Sequence, residues 1–354
     1  MSAEIPLTAE VIELEDRPEA VDAYFTERRW SDGLPIVPPT EARVRAMLAA
    51  TRRGPQETLG ELPPAWREAT VEKLAINAVV AGALPEHFPV VLAAVEAMLD
   101  PEFNLYGVQA TTHPVAPLVV VSGPYAARIG MNAGSGAFGP GCRANATIGR
   151  AVRLILLNVG GAWPGQGDMA TQGSPAKYTY AIAENEAATP WEPLRVALGF
   201  GAEESTVTVF GGEGPHNVND HVSTTAAGIL TVCADTMRGL GSNVGWYLSQ
   251  SQVLLVLGPE HAATVAGDGF GRADVQRFCF DQARRSLLES KLSGMYGIQD
   301  WPGWMNAIVD DEARLPLVPA PEDILVMVAG GPGKHSCVVP NCTFSRAVTR
   351  AIAA

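Results

Sequence analysis

The sequence has few basic residues and no closely spaced cysteine pair. Lysine and arginine total 25 against 38 aspartates and glutamates, so the formal net charge is −13. Because nucleic-acid binding requires clustered positive charge, neither a nucleic-acid partner nor an anionic membrane surface is expected. No two of the five cysteines are separated by two residues, as they are in many zinc and redox motifs.

Membrane spans and secretion signals are lacking as well. Apolar runs such as 115–121 are far shorter than the about 20 residues that cross a bilayer as a helix. The first residues, Met-Ser-Ala-Glu-Ile-Pro-Leu, do not contain the basic and apolar segments of a signal peptide. We therefore expect a soluble, cytoplasmic protein.

Apolar residues, glycine and proline are abundant. Hydrophobic residues make up 47% of the 354 positions, together with 36 glycines and 27 prolines, which favours two lobes or one large α/β domain. We expect a proline-rich N-terminal arm over 1–60, a first α/β half over 61–195 and a second α/β half over 196–354. The apolar arm is predicted to dock on the body or on a second subunit, so a homodimer is the expected oligomer.

Short apolar runs alternate with helical patterns along the chain. The runs 117–121, 206–210, 253–257 and 324–328 are continuous, as in strands that are buried on both faces. Their alternation with helices predicts mostly parallel sheets with flanking helices. Two of the runs end alike, in Val-Ser-Gly-Pro and Leu-Gly-Pro, which suggests two related α/β halves; turn chemistry alone is the alternative explanation.

A glycine-dense loop before a helix is the clearest candidate binding element. Gly139 and Gly141 allow close backbone approach to a bound group, and the positive end of the next helix favours an anion. Arg143, Asn145 and Thr147 in the first turn of that helix are predicted to hold the negative group. The pattern G-x-G-x-x-G also occurs at 134–139, but it does not directly follow a strand, so a dinucleotide site is the weaker alternative.

Histidines follow the predicted strands and are the candidates for proton transfer. His216 or His221 is predicted to move the proton, and His113, Lys334 or His335 to polarise the reacting atom. Two further polar residues of the same loop are predicted to contact the substrate, namely Asn217 and Asp220. The set His113, His216 and His221 is an alternative divalent-metal site. A polar surface loop, with Asp220 as a helix cap, is the structural alternative.

Two further segments carry weaker signals. Cys337 lies close to His335, which permits a substrate contact or a nucleophilic thiol. Lys177 and Tyr180 follow a loop rich in glycine and glutamine and could serve acid–base steps if burial shifts their pKa values, although ordinary ion pairing is favoured there.

Three segments carry a resemblance to a known family. They are Trp-Ser-Asp-Gly-Leu-Pro-Ile-Val-Pro-Pro-Thr at 30–40, Ala-Phe-Gly-Pro-Gly at 137–141 and Arg-Ala-Asn-Ala-Thr-Ile-Gly-Arg at 143–150. Together they resemble a largely uncharacterised bacterial family associated with proteins that carry a UGSC selenocysteine motif. The resemblance implies redox or carbon–heteroatom chemistry, although this chain has no selenocysteine.

These features predict an enzyme, a lyase or hydrolase, that cleaves a carbon–heteroatom bond in a small anionic carboxylate or carbonyl substrate. Histidine acid–base chemistry would need no obligatory organic cofactor, and a divalent metal is possible. One alternative is a thiol-dependent redox component that uses Cys337 or Cys142 with a separate (seleno)protein partner. The other is a non-catalytic binding subunit.

Overall fold

The computed structural model describes residues 6–246, 250–294 and 306–353. The helices in this part of the chain are α1 (Pro18–Glu27), α2 (Glu41–Leu48), α3 (Val71–Val80), α4 (Phe88–Met98), α5 (Leu105–Ala110), α6 (Pro124–Arg128), α7 (Arg143–Asn158), α8 (Leu194–Ala197), α9 (Ala226–Met237), α10 (Pro259–Gly267), α11 (Arg272–Gln282) and α12 (Leu287–Leu292). The strands are β1 (Thr58–Leu62), β2 (Arg67–Thr70), β3 (Ala116–Ser122), β4 (Ala181–Ala183), β5 (Thr206–Gly212), β6 (His216–Asn219), β7 (Val253–Leu257), β8 (Arg284–Ser286), β9 (Arg314–Pro316), β10 (Ile324–Val328), β11 (His335–Pro340) and β12 (Val348–Ala351).

Two four-stranded sheets form the centre of the molecule. The first sheet has the strand order β12-β5-β3-β4, and the second has the order β10-β7-β11-β6. Only one pair of neighbours in each sheet is parallel, β3 with β4 and β7 with β10. The protein is therefore of mixed α/β class, but the prediction of mostly parallel sheets is wrong, because antiparallel pairs predominate.

The two sheets pack face to face between two layers of helices. In β3, Val119 and Val121 face a core that includes α3, α4 and α7, whereas Leu118 and Val120 face the second sheet. The second sheet repeats this alternation between the inter-sheet core and a core with α9, α10 and α11. Because both of their faces are buried, β3, β7 and β10 are apolar at nearly every position. That is the pattern that had suggested parallel strands.

The two sheets have the same internal arrangement. A strand that leads into a Gly-Pro turn (β3, β7) has a parallel neighbour on one side (β4, β10) and an antiparallel neighbour on the other (β5, β11). Leu118 opposes Phe210, and Leu254 opposes Val339 at the matching position. The outermost strands are exchanged, because β6 follows β5 in the chain but pairs in the second sheet, and β12 follows β11 but pairs in the first.

The chain makes this exchange where β5 and β11 end. Gly212 and Asn341 form an antiparallel bridge, flanked by hydrogen bonds from Glu213 N to the Pro340 oxygen (2.9 Å) and from Cys342 N to the Gly211 oxygen (3.1 Å). We call this end of the sandwich the lower end. The carboxyl ends of β3, β4, β7 and β10 lie at the opposite, upper end, where Asn185 N donates to the Val328 oxygen.

The N-terminal arm docks on the body of its own chain. Arg150 of α7 donates two hydrogen bonds of 2.8 Å to the Asp32 carboxylate, and Val37 N donates to the Val80 oxygen at 3.2 Å.

The side chain of Thr70 caps α3 by accepting from Lys73 N. In the described residues, no helix is long and apolar enough to cross a bilayer.

Gly149 in the middle of α7 marks the tightest contact between that helix and β4. A β-carbon at this position would collide with the backbone nitrogen of Tyr180, whereas a β-carbon on Gly267 at the end of α10 would meet nothing within 4 Å. We predict that Gly149→Ala lowers the free energy of unfolding by about 1–3 kcal/mol through overpacking. Gly267→Ala should be neutral or stabilise by about 0.4–1 kcal/mol. Urea denaturation of both variants measures this, and equal effects would contradict the assigned packing.

Candidate functional site

At the upper end, four of the predicted site residues come together. The Nε2 atoms of His221 and His335 lie 3.1 Å apart, and His335 Nδ1 is 2.9 Å from the Asn217 side-chain oxygen. Lys334 Nζ donates to the carbonyl oxygen of His221 at 3.3 Å. The antiparallel pairing of β11 with β6 produces this cluster, because it sets His335 opposite Asn219. The side chains of His221, His335 and Asn217 are exposed, and that of Lys334 is half-buried.

His216 and His113 are not part of this cluster. His216 lies on the opposite face of β6 from Asn217, because successive residues of a strand alternate. His113 precedes β3 at the lower end of the sandwich. The predicted metal set of His113, His216 and His221 is therefore not assembled. Across the described ranges, no group of three or more His, Cys, Asp or Glu side chains could hold a metal ion.

The glycine loop does reach the upper end. Gly330 N donates to the Ala133 oxygen at 2.8 Å, and Ser135 packs directly on Gly331. These contacts border a shallow depression of about 480 Å³. It is lined by Gly134, Ser135, Asn185, Pro259, Glu260, Ala263, Gly330, Gly331 and Pro332. Strand ends and the glycine loop thus meet, but the only charged group on this lining is the acidic Glu260.

The residues predicted to hold an anion have structural partners instead. Arg143 donates through Nε and Nη2 to the carbonyl oxygen of Gly82, at 3.0 and 2.9 Å. Asn145 is buried and bonds to both backbone groups of Asn132, which fixes the shape of the glycine loop. Thr147 donates to the Arg143 carbonyl oxygen, one helical turn earlier. The anion-binding prediction for these three residues is therefore not supported.

The predicted glycines and Asp220 also have local structural roles. Gly139 N closes a turn with the Gly136 oxygen at 2.7 Å, and Gly141 has a φ of 113° just before α7. Neither glycine lines the depression. Asp220 Oδ1 accepts from Val222 N and Ser223 N, and these hydrogen bonds lower the pKa of the carboxyl group. Asp220 therefore stabilises a turn, and the alternative that it caps the following helix is wrong, because Thr225 caps α9 by accepting from Gly228 N.

A histidine–carboxylate dyad lies at the lower end. His113 Nε2 is 3.0 Å from Glu213 Oε1, and the two side chains are 10% and 21% exposed. Glu213 Oε1 also accepts from Asn243 N at 3.1 Å, and the Glu213 carbonyl oxygen accepts from the Tyr180 hydroxyl at 2.8 Å. The exchange of strands between the sheets creates this dyad, because Glu213 follows the Gly212–Asn341 bridge directly.

Unpaired polar atoms concentrate around this dyad. His113 Nδ1 is buried and has no hydrogen-bond partner among the described residues. Four other buried polar atoms on segments near the dyad are also unpaired there: Gln109 Nε2, Ser242 Oγ, Thr343 Oγ1 and Ser345 Oγ. Thr343 has a φ of 68°, which is costly for a β-branched residue. Unpaired buried groups and backbone strain are typical of functional sites.

Two cations, Arg153 of α7 and the half-buried Lys177, lie near the Asp168 carboxylate. Lys177 Nζ donates to both Asp168 oxygens at 2.7 and 2.6 Å, and burial lowers the pKa of Lys177 despite this partner. Arg153 is only 6% exposed, and burial lowers its pKa to about 10, partly offset by Asp168. Arg153 makes no hydrogen bond or ion pair with any other described residue. Two cations therefore share one carboxylate.

The segment 168–180 connects these cations to the dyad. Thr171 N donates to the Thr112 oxygen at 2.9 Å, next to His113. Tyr180, three residues after Lys177, donates to Glu213. This segment therefore links an oriented imidazole to two cations that share one carboxylate.

Sequence reasoning found His113 but missed its partners. Glu213 stands in the polar segment between β5 and β6, three residues before His216, and that position was a usable signal. Arg153 interrupts the apolar run Ala-Val-Arg-Leu-Ile-Leu-Leu of α7, and a lone cation in a buried stripe is a usable signal. Asp168 lies in a loop rich in glycine and glutamine and carries no such signal.

Four of the five cysteines are poorly suited to nucleophilic chemistry. Burial raises the pKa values of Cys233, Cys337 and Cys342 to about 12, and it raises that of Cys279 well above the ordinary value. Cys142 is half-buried and donates to the Gly130 oxygen at 3.2 Å. No disulfide joins any of the five.

Comparison with known proteins gives no match: no family model, no curated protein and no solved structure is significantly similar to the chain.

We predict that iodoacetamide at pH 8 labels Cys142 first in the native protein. A thiol with a pKa of about 12 is ionised in roughly one molecule in 10⁴ at pH 8, so Cys337 should stay protected. Mass spectrometry of tryptic peptides identifies the labelled site, and a Cys142→Ser variant is the control. Fast labelling of Cys337 would instead support the thiol-dependent alternative.

Proposed function

We propose that the protein is an enzyme of the lyase or hydrolase type that uses His113 as a general base on a small carboxylate-bearing substrate. The observation that carries the proposal is the His113–Glu213 dyad, whose second imidazole nitrogen is buried and unpaired among the described residues. We keep the reaction class expected from the sequence, but we assign the proton transfer to His113 at the lower end rather than to His216 or His221.

The dyad has the composition of an oriented base. A carboxylate only accepts hydrogen bonds, so His113 Nε2 carries the hydrogen in this contact, and Nδ1 of the neutral ring has a free lone pair. Glu213 would stabilise the imidazolium that forms when Nδ1 takes a proton. Removal of a proton from water would lead to hydrolysis, and removal from a carbon next to a carbonyl would lead to elimination.

The two cations near Asp168 support an anionic substrate. A buried guanidinium without a hydrogen-bonded partner is energetically costly, and a carboxylate matches its two parallel N–H groups. Arg153 would take the substrate carboxylate, while Lys177 and Asp168 satisfy each other. The anion contact expected of Arg143 would thus be made by a different arginine of the same helix.

We predict that His113→Ala lowers kcat about 10²–10⁴-fold, as expected for the loss of a general base. Glu213→Gln should also lower kcat, because the amide cannot stabilise an imidazolium. The assay follows, by proton NMR, a panel of small hydroxycarboxylates, aminocarboxylates and carboxylate-bearing esters incubated with the protein. His216→Ala is the matched control, since His216 is an exposed histidine on the neighbouring strand, and it should keep full activity.

Unchanged turnover in His113→Ala would refute the catalytic assignment. If carboxylates bind but none of the panel is converted, the protein is a binding subunit and the enzyme proposal fails.

We also predict opposite effects of Arg153→Met on stability and on binding. Removing a guanidinium that lacks a hydrogen-bonded partner should leave the melting temperature unchanged or higher without ligand. The same change should abolish saturation-transfer NMR signals from acetate, glycolate and malonate. Arg150→Met on the same helix is the control, because Arg150 pairs with Asp32; it should destabilise the protein and preserve carboxylate binding.

A loss of about 3–5 kcal/mol in Arg153→Met, with carboxylate binding retained, would show instead that Arg153 is a structural ion-pair partner.

A further inference from the structure

The two imidazoles at the upper end face each other through their outer nitrogens. The Nε2 atoms of His221 and His335 are 3.1 Å apart, with ring centroids separated by 4.9 Å and ring planes inclined at 81°. Both side chains are exposed, so the space next to the nitrogens is open to solvent. Two nitrogen lone pairs at this separation repel each other unless a proton or a metal ion lies between them.

We propose that His221 and His335 bind a divalent transition-metal ion through their Nε2 atoms. Imidazole nitrogens lie about 2.0–2.1 Å from zinc, so two such ligands on a tetrahedral ion are about 3.3 Å apart. The observed separation is within a few tenths of an ångström of that value, and a small rotation of either exposed ring would complete the geometry.

Asn217 prepares His335 for this role. Its side-chain oxygen accepts from His335 Nδ1 at 2.9 Å, which places the hydrogen on Nδ1 and leaves the Nε2 lone pair free. Hydrogen bonds of this kind to the second ring nitrogen fix the tautomer and orientation of metal-binding histidines. Asn217 is therefore a positioning residue, and the metal would contact only the two imidazoles, water and any exogenous ligand.

The backbone around both histidines is well defined. His335 is the first residue of β11 and is paired with Asn219, and its carbonyl group packs tightly against Gly258 of the neighbouring strand end. His221 follows the turn that Asp220 stabilises through Val222 N and Ser223 N. Both ligands are thus placed before a metal arrives, which reduces the entropy lost on binding.

The ligand set selects the class of metal. Two imidazoles without a neighbouring carboxylate suit Cu²⁺, Ni²⁺ and Zn²⁺, whereas Mg²⁺ and Ca²⁺ prefer oxygen ligands. The nearby ammonium group of Lys334 is held on the carbonyl oxygen of His221. Because only two protein ligands take part, the ion would keep open positions for water or a small ligand.

Isothermal titration calorimetry with ZnCl₂ on the full-length protein, freed of metal with EDTA, tests the proposal. We expect one site, weakened at least tenfold by His221→Ala or by His335→Ala. Asn217→Ala should weaken it by about tenfold, the lower range for loss of a group that orients a ligand. His216→Ala is the matched control and should bind zinc like the unaltered protein.

Electron paramagnetic resonance of the Cu²⁺ complex provides a second readout, with coupling to two nitrogens expected. The proposal fails if zinc does not bind, if His216→Ala weakens binding as much as His335→Ala, or if CaCl₂ competes equally, which would indicate attraction to the acidic surface alone. The result is independent of the lower-end dyad, since His113→Ala should leave zinc binding unchanged.

Discussion

The antiparallel bridge between Gly212 and Asn341 is the constraint on which the rest of the structure depends. At this point each half of the chain leaves its own sheet and supplies an edge strand, β6 or β12, to the other sheet. The exchange holds the sheets together covalently as well as through their apolar faces. It also places Glu213, the residue after the bridge, beside His113, so the same crossing that stabilises the sandwich assembles the dyad.

The sandwich separates apolar and polar regions along the strand direction. Its interior is filled by side chains such as Leu118, Val120, Leu254 and Met327, which leaves no room for chemistry between the sheets. Polar groups therefore collect where strands end. The upper end carries the exposed imidazole pair and a shallow depression, and the lower end carries the half-buried dyad. Because the histidines at the upper end are exposed and the dyad at the lower end is half-buried, the two ends would support different chemistry.

Local structure was predictable from the sequence, whereas strand direction and long-range contacts were not. The runs 253–257 and 324–328 were readable as strands, because strand formation depends on neighbouring residues. Strand direction was not readable, since burial by a second sheet and burial by helices produce the same apolar run. His113 was recognised, whereas its partner Glu213 lies 100 residues away and becomes a neighbour only through the exchange of strands.

The sequence alone determined the apolar strands β3, β5, β7 and β10, the net negative charge, and the presence of histidines near strand ends, because each follows from composition or from short apolar runs. The tertiary structure decided which histidines meet. It joined His221 to His335 through the pairing of β6 with β11, set His113 against Glu213, and buried Arg153 without a hydrogen-bonded partner. Pairing between distant strands depends on total burial and chain connectivity, which no local window of residues encodes.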